Sequence, residues 1–439
     1  MWVIAMQVEM THPHCSLDTL VVDQEPEGRR RRPTQPPSST AMARPQKRRR
    51  LTAAVIPDDL LFSDILARLP VKSLARFRCV CRHWRAGIAD PAFVRRHLDL
   101  SRRAGRPPSL LVVPRQFDPD DVYATSGDIS FHRLPFLPAA AETAELMLEQ
   151  AWPEGISCLV GLAHCDGLVA VATATDRVFV CNPATREFAA LPLGSHNADA
   201  DRRDFAAVPV PVVALGFDRW RSRYVVARLF HRTFGDTPDD IGHEVFTLGA
   251  GGGGAWERTE DPPHAVACAR PACTRRAFYW FTTVAQPRLL RFGLQDRAFD
   301  VVSRPGAGGW NAVDAMAELD DGKLCYVHAA GDAAFQVWTA DDAPALEWSL
   351  RCRIRIVDPV PRFNYSVTPV TAHGDELLVI DGYKLWMCSM QKKAMGEVVD
   401  MKFELCYERP DGSKRCYDSC HSEHYLVPYV ESLVSPSLN

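Results

Sequence analysis

Charge of one sign is what this sequence has least to spare: over 439 residues, 51 Lys and Arg face 54 Asp and Glu, a formal charge of -3. So balanced a chain is not a general polyanion binder, and any contact with nucleic acid would have to rest on a local patch. Long hydrophobic runs are missing too. No stretch approaches the ~18 apolar residues of a membrane-spanning helix, because charges punctuate every run, and no membrane partner is expected. The opening Met1 to Met10 starts apolar but has no basic flank and carries Glu9, which argues against a secretory signal. The chain reads as soluble and intracellular.

Catalytic signatures are equally sparse. No P-loop ending in Gly-Lys-Ser/Thr occurs, and Gly249 to Gly254 lacks the lysine and following helix that phosphate binding requires, so it reads as a hairpin tip. GxSxG and HExxH are absent. Asp and Glu fall mostly at turns, where they hydrogen-bond local backbone. These absences point away from an enzyme, and no cofactor is expected.

The 14 cysteines are scattered, and Cys158, Cys181, Cys325 and Cys388 sit among apolar residues, where a free thiol behaves as a small hydrophobe. Buried reduced cysteine is the expectation. One cluster, Cys406, Cys416, Cys420, His421 and His424, has ligand types suited to tetrahedral zinc. Adjacent Cys420 and His421 cannot easily both ligate, and no CxxC knuckle is present. The cluster therefore reads as an exposed polar loop before a final strand, with no metal.

Residues 1–52 are rich in Pro, Ser, Gln and Arg without apolar periodicity, a composition that cannot offset its ordering entropy. A disordered basic tail is expected. It holds two basic clusters, Arg29, Arg30, Arg31 and Arg32, then Lys47, Arg48, Arg49 and Arg50, which read as a nuclear-import candidate.

Helical periodicity is confined to residues 53–100. Pro57 with Asp58 and Asp59 suits a helix start. Leu60, Leu61, Ile65, Leu66 and Leu69 follow at helical spacing until Pro70. A second helix is expected through Leu74, Phe77, Val80, Cys81, Trp84 and Ile88. A third follows Asp90-Pro91, with Asp90 as its cap, and carries Phe93, Val94 and Leu98. Three short helices make a very small core, whose leftover apolar residues call for a partner.

Beyond a linker at 101–108 the texture turns to β. Runs rich in Val, Leu, Phe, Tyr and Trp alternate with Gly, Asp, Asn and Pro turns: 167–172, 177–181, 211–215, 224–230, 276–281, 289–292, 323–328, 335–339, 376–380 and 383–387. CNPATREFAALP, FGLQDRAFDVV and CSMQKKAMGEV are imperfect copies of one hairpin, which points to a propeller-like body. Of the aromatics Trp220, Trp256, Tyr279, Trp280, Trp338, Trp348 and Trp386, most should pack between sheets and some should face a partner. The longest polar connections, 194–205 and 231–242, with the 249–254 tip, are candidates for recognition.

The segment IPDDLLFSDILARLPVKSLARFRCVCRHWRAGIADPAFVRRHL resembles an F-box, on Ile56-Pro57, Ile65-Leu66, the LPVKSL block Leu69 to Leu74, Arg76, Val80-Cys81 and Trp84-Arg85. Pro57 to Ile65 is one residue longer than the commonest spacing, which would turn Leu60 and Leu61 by about 100°. The remainder, through GLVAV, LGFDRWRSRYVVARLF, RAFYWFT, LDDGKLCYV and FQVWTADD, resembles the F-box-associated β domain of plant-type F-box proteins. The resemblance implies an α+β multidomain chain: a small N-terminal three-helix F-box at 53–100, then a large all-β propeller-like domain at 109–436. It further implies a non-catalytic substrate-recognition subunit of an SCF-type ubiquitin ligase. Its partners would be a Skp-type adaptor, through it a cullin, and an unidentified target protein, in the nucleus and/or cytoplasm. The implied adaptor-binding residues are Ile56, Pro57, Leu60, Leu61, Ile65, Leu66, Leu69, Pro70, Leu74, Val80, Cys81 and Trp84. The rival readings are a β-propeller enzyme or carbohydrate-binding protein, and a nuclear nucleic-acid binder resting on the basic tail.

Overall fold

The computed structural model describes residues 57–437 apart from 104–107, 117–124, 137–142, 158–159, 174–176, 196–211, 233–239, 250–253, 268, 284–287, 307–312, 320–321, 332, 357–366, 390, 392–393 and 420–421. Both basic clusters, Ile56, Cys158, Cys420 and His421 lie outside the described residues.

Asp58–Leu60 opens one turn of helix (α1), after which the chain widens into a π turn over Leu61–Ile65 and tightens to a 3-10 turn over Leu66–Arg68. A π turn closes i→i+5 instead of i→i+4, so it absorbs the one extra residue noted above. Downstream phase is thereby kept: Leu66 and Ala67 return to the core at 1% exposure, while Leu60 stays outside at 49%.

The expected second helix is two: α2 (Val71–Phe77) and α3 (Arg82–Ala89). Cys81 is extended between them, and its Sγ accepts the Trp84 N–H at 3.4 Å as an N-cap, a role its residue type does not advertise. The helix α4 (Pro91–Arg103) starts as expected, with Asp90 Oδ1 accepting from the Ala92 and Phe93 amides at 2.7 and 3.3 Å. The helical module therefore has four helices among the described residues, not three, and α4 extends into the expected linker.

The β body begins with β1 (Ser109–Gln116), β2 (Thr125–Leu134) and β3 (Thr143–Ser157). Five four-stranded blades follow. They are β4 to β7 (Val160–Cys165, Leu168–Thr173, Val178–Asn182, Glu187–Ala190) and β8 to β11 (Val212–Asp218, Arg223–His231, Ile241–Thr247, Glu257–Arg258). Next come β12 to β15 (Ala272–Cys273, Ala277–Phe281, Leu289–Gly293, Phe299–Val302) and β16 to β19 (Ala315–Glu318, Lys323–Gly331, Ala334–Asp341, Ser349–Arg355). The fifth is β20 to β23 (Val367–His373, Glu376–Asp381, Lys384–Ser389, Ala394–Asp400). The chain ends with β24 (Cys406–Glu408), β25 (Lys414–Cys416) and β26 (Ser422–Tyr429).

Within each blade the strands lie in sequence order and pair antiparallel. The first and last strands share a sixth sheet, ordered β25-β24-β3-β2-β1-β26, in which β26 pairs along all of β1 from Ser109↔Tyr429 to Gln116↔Ser422. The inner strands β4, β8, β12, β16, β20 and β26 each touch the next, and β26 touches β4, so the sheets form a closed ring.

Each blade is covered on both faces, which is why β5 and β6 are buried at every residue and show no apolar/polar alternation. All ten expected β runs are strands, within a residue or two at their starts and up to three at their ends. The three recurring motifs are the outer hairpins of the first, third and fifth blades, and in two of them the turn arginine adopts positive φ, 60° at Arg186 and 54° at Arg297.

Candidate functional site

The helical module is built on Leu66, Ala67, Val71, Leu74, Ile88 and Phe93, joined by Leu433 from the segment after β26. Two residues expected at the adaptor surface, Leu66 and Leu74, are therefore core, 1% and 0% exposed, because the π turn and α2 aim them inward. Leu61, Leu69 and Trp84 are half-buried, with Trp84 packed edge-on to Phe77 at 5.3 Å. Pro57, Leu60, Ile65, Pro70, Val80 and Cys81 face solvent. Leu60, Ile65 and Val80 (49%, 42% and 62% exposed) are half of the six large hydrophobic residues exposed among the described ones, on a module of under fifty residues. They make this module the candidate site among the described residues.

The other side of this module is fixed to the β body. Leu98 and Val94 of α4 pack with Leu168, Val180 and Val434. Arg102 pairs with the nearly buried Asp166 in the β4–β5 turn, whose other oxygen accepts from Tyr224 Oη at 2.9 Å. Asn182, fully buried, donates from Nδ2 to the carbonyls of Ser432 and Val434 at 3.0 and 2.7 Å. His97 Nε2 lies 3.0 Å from the Leu69 carbonyl, and burial pushes its pKa down.

The module thus sits at the edge of the ring that carries the first-to-second and third-to-fourth strand turns. Contacts between turns run round this edge. Arg221 Nη1, in the β8–β9 turn, donates to the carbonyls of Leu294 and Gln295 at 3.0 and 3.3 Å, and Asp342 accepts from the Arg276 amide and from Tyr279 Oη at 3.1 and 2.8 Å. Connections between second and third strands, and between blades, leave at the opposite edge. The expected recognition loops are therefore divided: 194–205 and 231–242 depart at the far edge, whereas 249–254 joins third to fourth strand at the module's edge. The interiors of all three lie outside the described residues.

The ring's centre is narrow and lined by His164, Arg270, Cys273, Glu318, Val370 and Pro428, among others. Burial, with Arg270 beside it, pushes the His164 pKa down to about 3; burial pushes the Cys273 thiol up to about 12. His164 and Cys273 are thereby held in their uncharged forms at neutral pH.

The described members of the Cys/His cluster, Cys406, Cys416 and His424, do not converge as a ligand set. Cys406 and Cys416 face each other across β24–β25 and form a disulfide, correcting the expectation of reduced thiols; only hairpin register, invisible in residue spacing, places them opposite. His424 is on the inner strand β26, not in an exposed loop, with Nδ1 2.7 Å from Tyr407 Oη. Among the aromatics Tyr279, Trp280 and Trp386 are buried, Trp256, Trp338 and Trp348 are half-buried, and Trp220 is exposed at the module's edge. Phe403 after β23 is the most exposed large hydrophobic among the described residues, at 66%, and sequence reasoning missed it because a lone phenylalanine beside a turn carries no periodic signal.

Residues 56–96 match the F-box domain and residues 141–390 the F-box associated beta propeller domain. An F-box/LRR-repeat/kelch-repeat protein of Arabidopsis thaliana is 26% identical over 366 residues, covering 80% of this chain and 91% of that one. An F-box protein of the same plant is 27% identical over 304 residues, covering 66% and 88%. Among solved structures, the RRP9 WD40 repeats are similar at TM-score 0.38 and 10% identity, covering 73% and 94%.

Proposed function

The chain belongs to the plant-type F-box proteins with an F-box-associated β propeller, and from this we propose that it is the substrate-recognition subunit of an SCF-type ubiquitin ligase. The F-box holds a Skp-type adaptor and through it a cullin. The β body holds a target protein, and the chemistry of ubiquitin transfer belongs to other subunits. The observation that carries this reading is the pairing of an exposed apolar set, Leu60, Ile65 and Val80, with a module fixed to the propeller by its opposite side. The long connections at the far edge favour target capture there. The basic clusters Arg29 to Arg32 and Lys47 to Arg50 serve nuclear import in this reading, and a reporter fused to residues 1–52 should lose nuclear accumulation when both are neutralised.

The decisive test uses side chains that the fold does not need. Burying an aliphatic side chain contributes ~1.5–3 kcal/mol, and ~1.4 kcal/mol is ten-fold in affinity. Leu60→Asp combined with Val80→Asp should weaken adaptor capture at least ten-fold with melting nearly unchanged. Undiminished capture by the folded double variant overturns the assignment.

A further inference from the structure

Of the 51 basic residues, eight are lysine and 43 are arginine. Lys47 and Lys72 precede a stretch, 73–322, that contains 28 arginines and no lysine; the other six lysines fall between Lys323 and Lys414. A general preference for arginine would thin lysine evenly, and this thinning is confined. The empty stretch covers α3, α4 and every strand from β1 to β16, including the blade to which the F-box is fixed and the next two.

Nor does the fold demand guanidinium throughout this region. Arg219 and Arg275 are exposed in the β8–β9 and β12–β13 turns, at the F-box edge, and neither forms an ion pair among the described residues. Arg219 only lies over the Trp220 ring at 5.4 Å, a contact an ammonium also makes. Lysine would supply the same charge there. What arginine withholds is an amine. In ubiquitin transfer a deprotonated ε-amine attacks the thioester carbonyl of ubiquitin, the C–S bond breaks, the thiol leaves with the proton, and an isopeptide forms. The guanidinium stays protonated and delocalised and cannot be that nucleophile.

We propose that the lysine-free stretch 73–322 shields this chain from self-ubiquitination, leaving Lys47, Lys72 in the F-box and the six lysines of 323–414 as the acceptors. Lys72 is open, 74% exposed and 3.9 Å from Glu145, whereas Lys384 is 17% exposed and engaged with Glu397 at 3.1 Å. The proposal rests on the ligase reading above. Its test is the full chain assembled with adaptor and cullin and supplied with ubiquitin, its activating and conjugating enzymes and ATP, wild type against Arg219→Lys with Arg275→Lys. Both substitutions keep charge at exposed turns. The expected result is ubiquitin on the two new lysines by mass spectrometry, and several-fold faster loss of the variant in cells, reversed by proteasome blockade. If the adaptor binds and Lys72 or Lys414 is modified while the two new lysines are not, the shielding proposal is overturned and the ligase reading stands. Failure of the adaptor to bind overturns both.

Discussion

His243 shows how much one side chain's surroundings decide. On β10 it lies 5.9, 4.5 and 4.8 Å from the Trp280, Phe292 and Phe299 rings, with Nδ1 2.5 Å from Thr259 Oγ1. Burial pushes its pKa down to about 3, and burial pushes that of His132 down to about 4. An unfolded histidine titrates near ~6.5, so below that pH the unfolded chain takes up protons that the folded chain refuses. The stability contribution is complete above ~6.5 and is lost as pH falls toward those folded values. Melting temperature should therefore drop between pH 7 and pH 5, and His243→Phe, which keeps a ring and removes the proton site, should drop less; equal drops would refute burial as the cause. Asn182→Ala should cost about 1–3 kcal/mol in denaturant unfolding, because the Ser432 and Val434 carbonyls lose a buried donor. At this scale the F-box signature located the module, but it treats Leu66 and Val80 alike, as members of one motif. Only the packed helices separate a core residue at 1% exposure from a surface one at 62%.

Among elements, the β24–β25 hairpin is where local covalent chemistry and packing meet. Its disulfide closes a loop of ten residues, and Tyr407 between the two cysteines is buried against His132 and His424. By loop-closure entropy such a crosslink is worth about 2–3 kcal/mol. Cys416→Ser, or reduction of the wild type, should lower unfolding stability by that order and open the Arg409–Lys414 turn to trypsin while the blades stay protected. Equal trypsin resistance with and without reductant would refute this role. The blade strands were legible in the sequence because buried β-branched and aromatic runs alternate with turn residues. The break between α2 and α3 was not, since a cysteine N-cap lacks the Ser, Thr, Asp or Asn that usually marks one. The π turn was half legible: the surplus residue could be counted, but how the helix would absorb it could not.

For the whole molecule, closure depends on β26, the inner strand of the sheet that also begins the ring. A chain ending before Ser422 loses that strand together with Leu433 and Val434, and it should give a broad, non-cooperative thermal transition. A sharp melt would show that the ring closes without it. The body from Ser109 onward keeps every strand, but it bares the apolar floor on which Leu98 and Val94 rest. A propeller-like body was foreseeable from the recurring hairpins, but its blade count was not, and neither was the second attachment of the F-box, because nothing in the pattern of residues 430–437 ties them to the helices. That attachment has a mechanical consequence. A module joined by one connection can swing, but this one is held both by α4 leading into β1 and by the tail returning from β26. The far edge lies one strand away, and at ~3.3 Å per residue a six-residue strand sets it ~20 Å off. Lengthening the 104–107 connection would not release a hinge, so in the proposed reading a target gripped at the far edge is offered at a fixed stand-off.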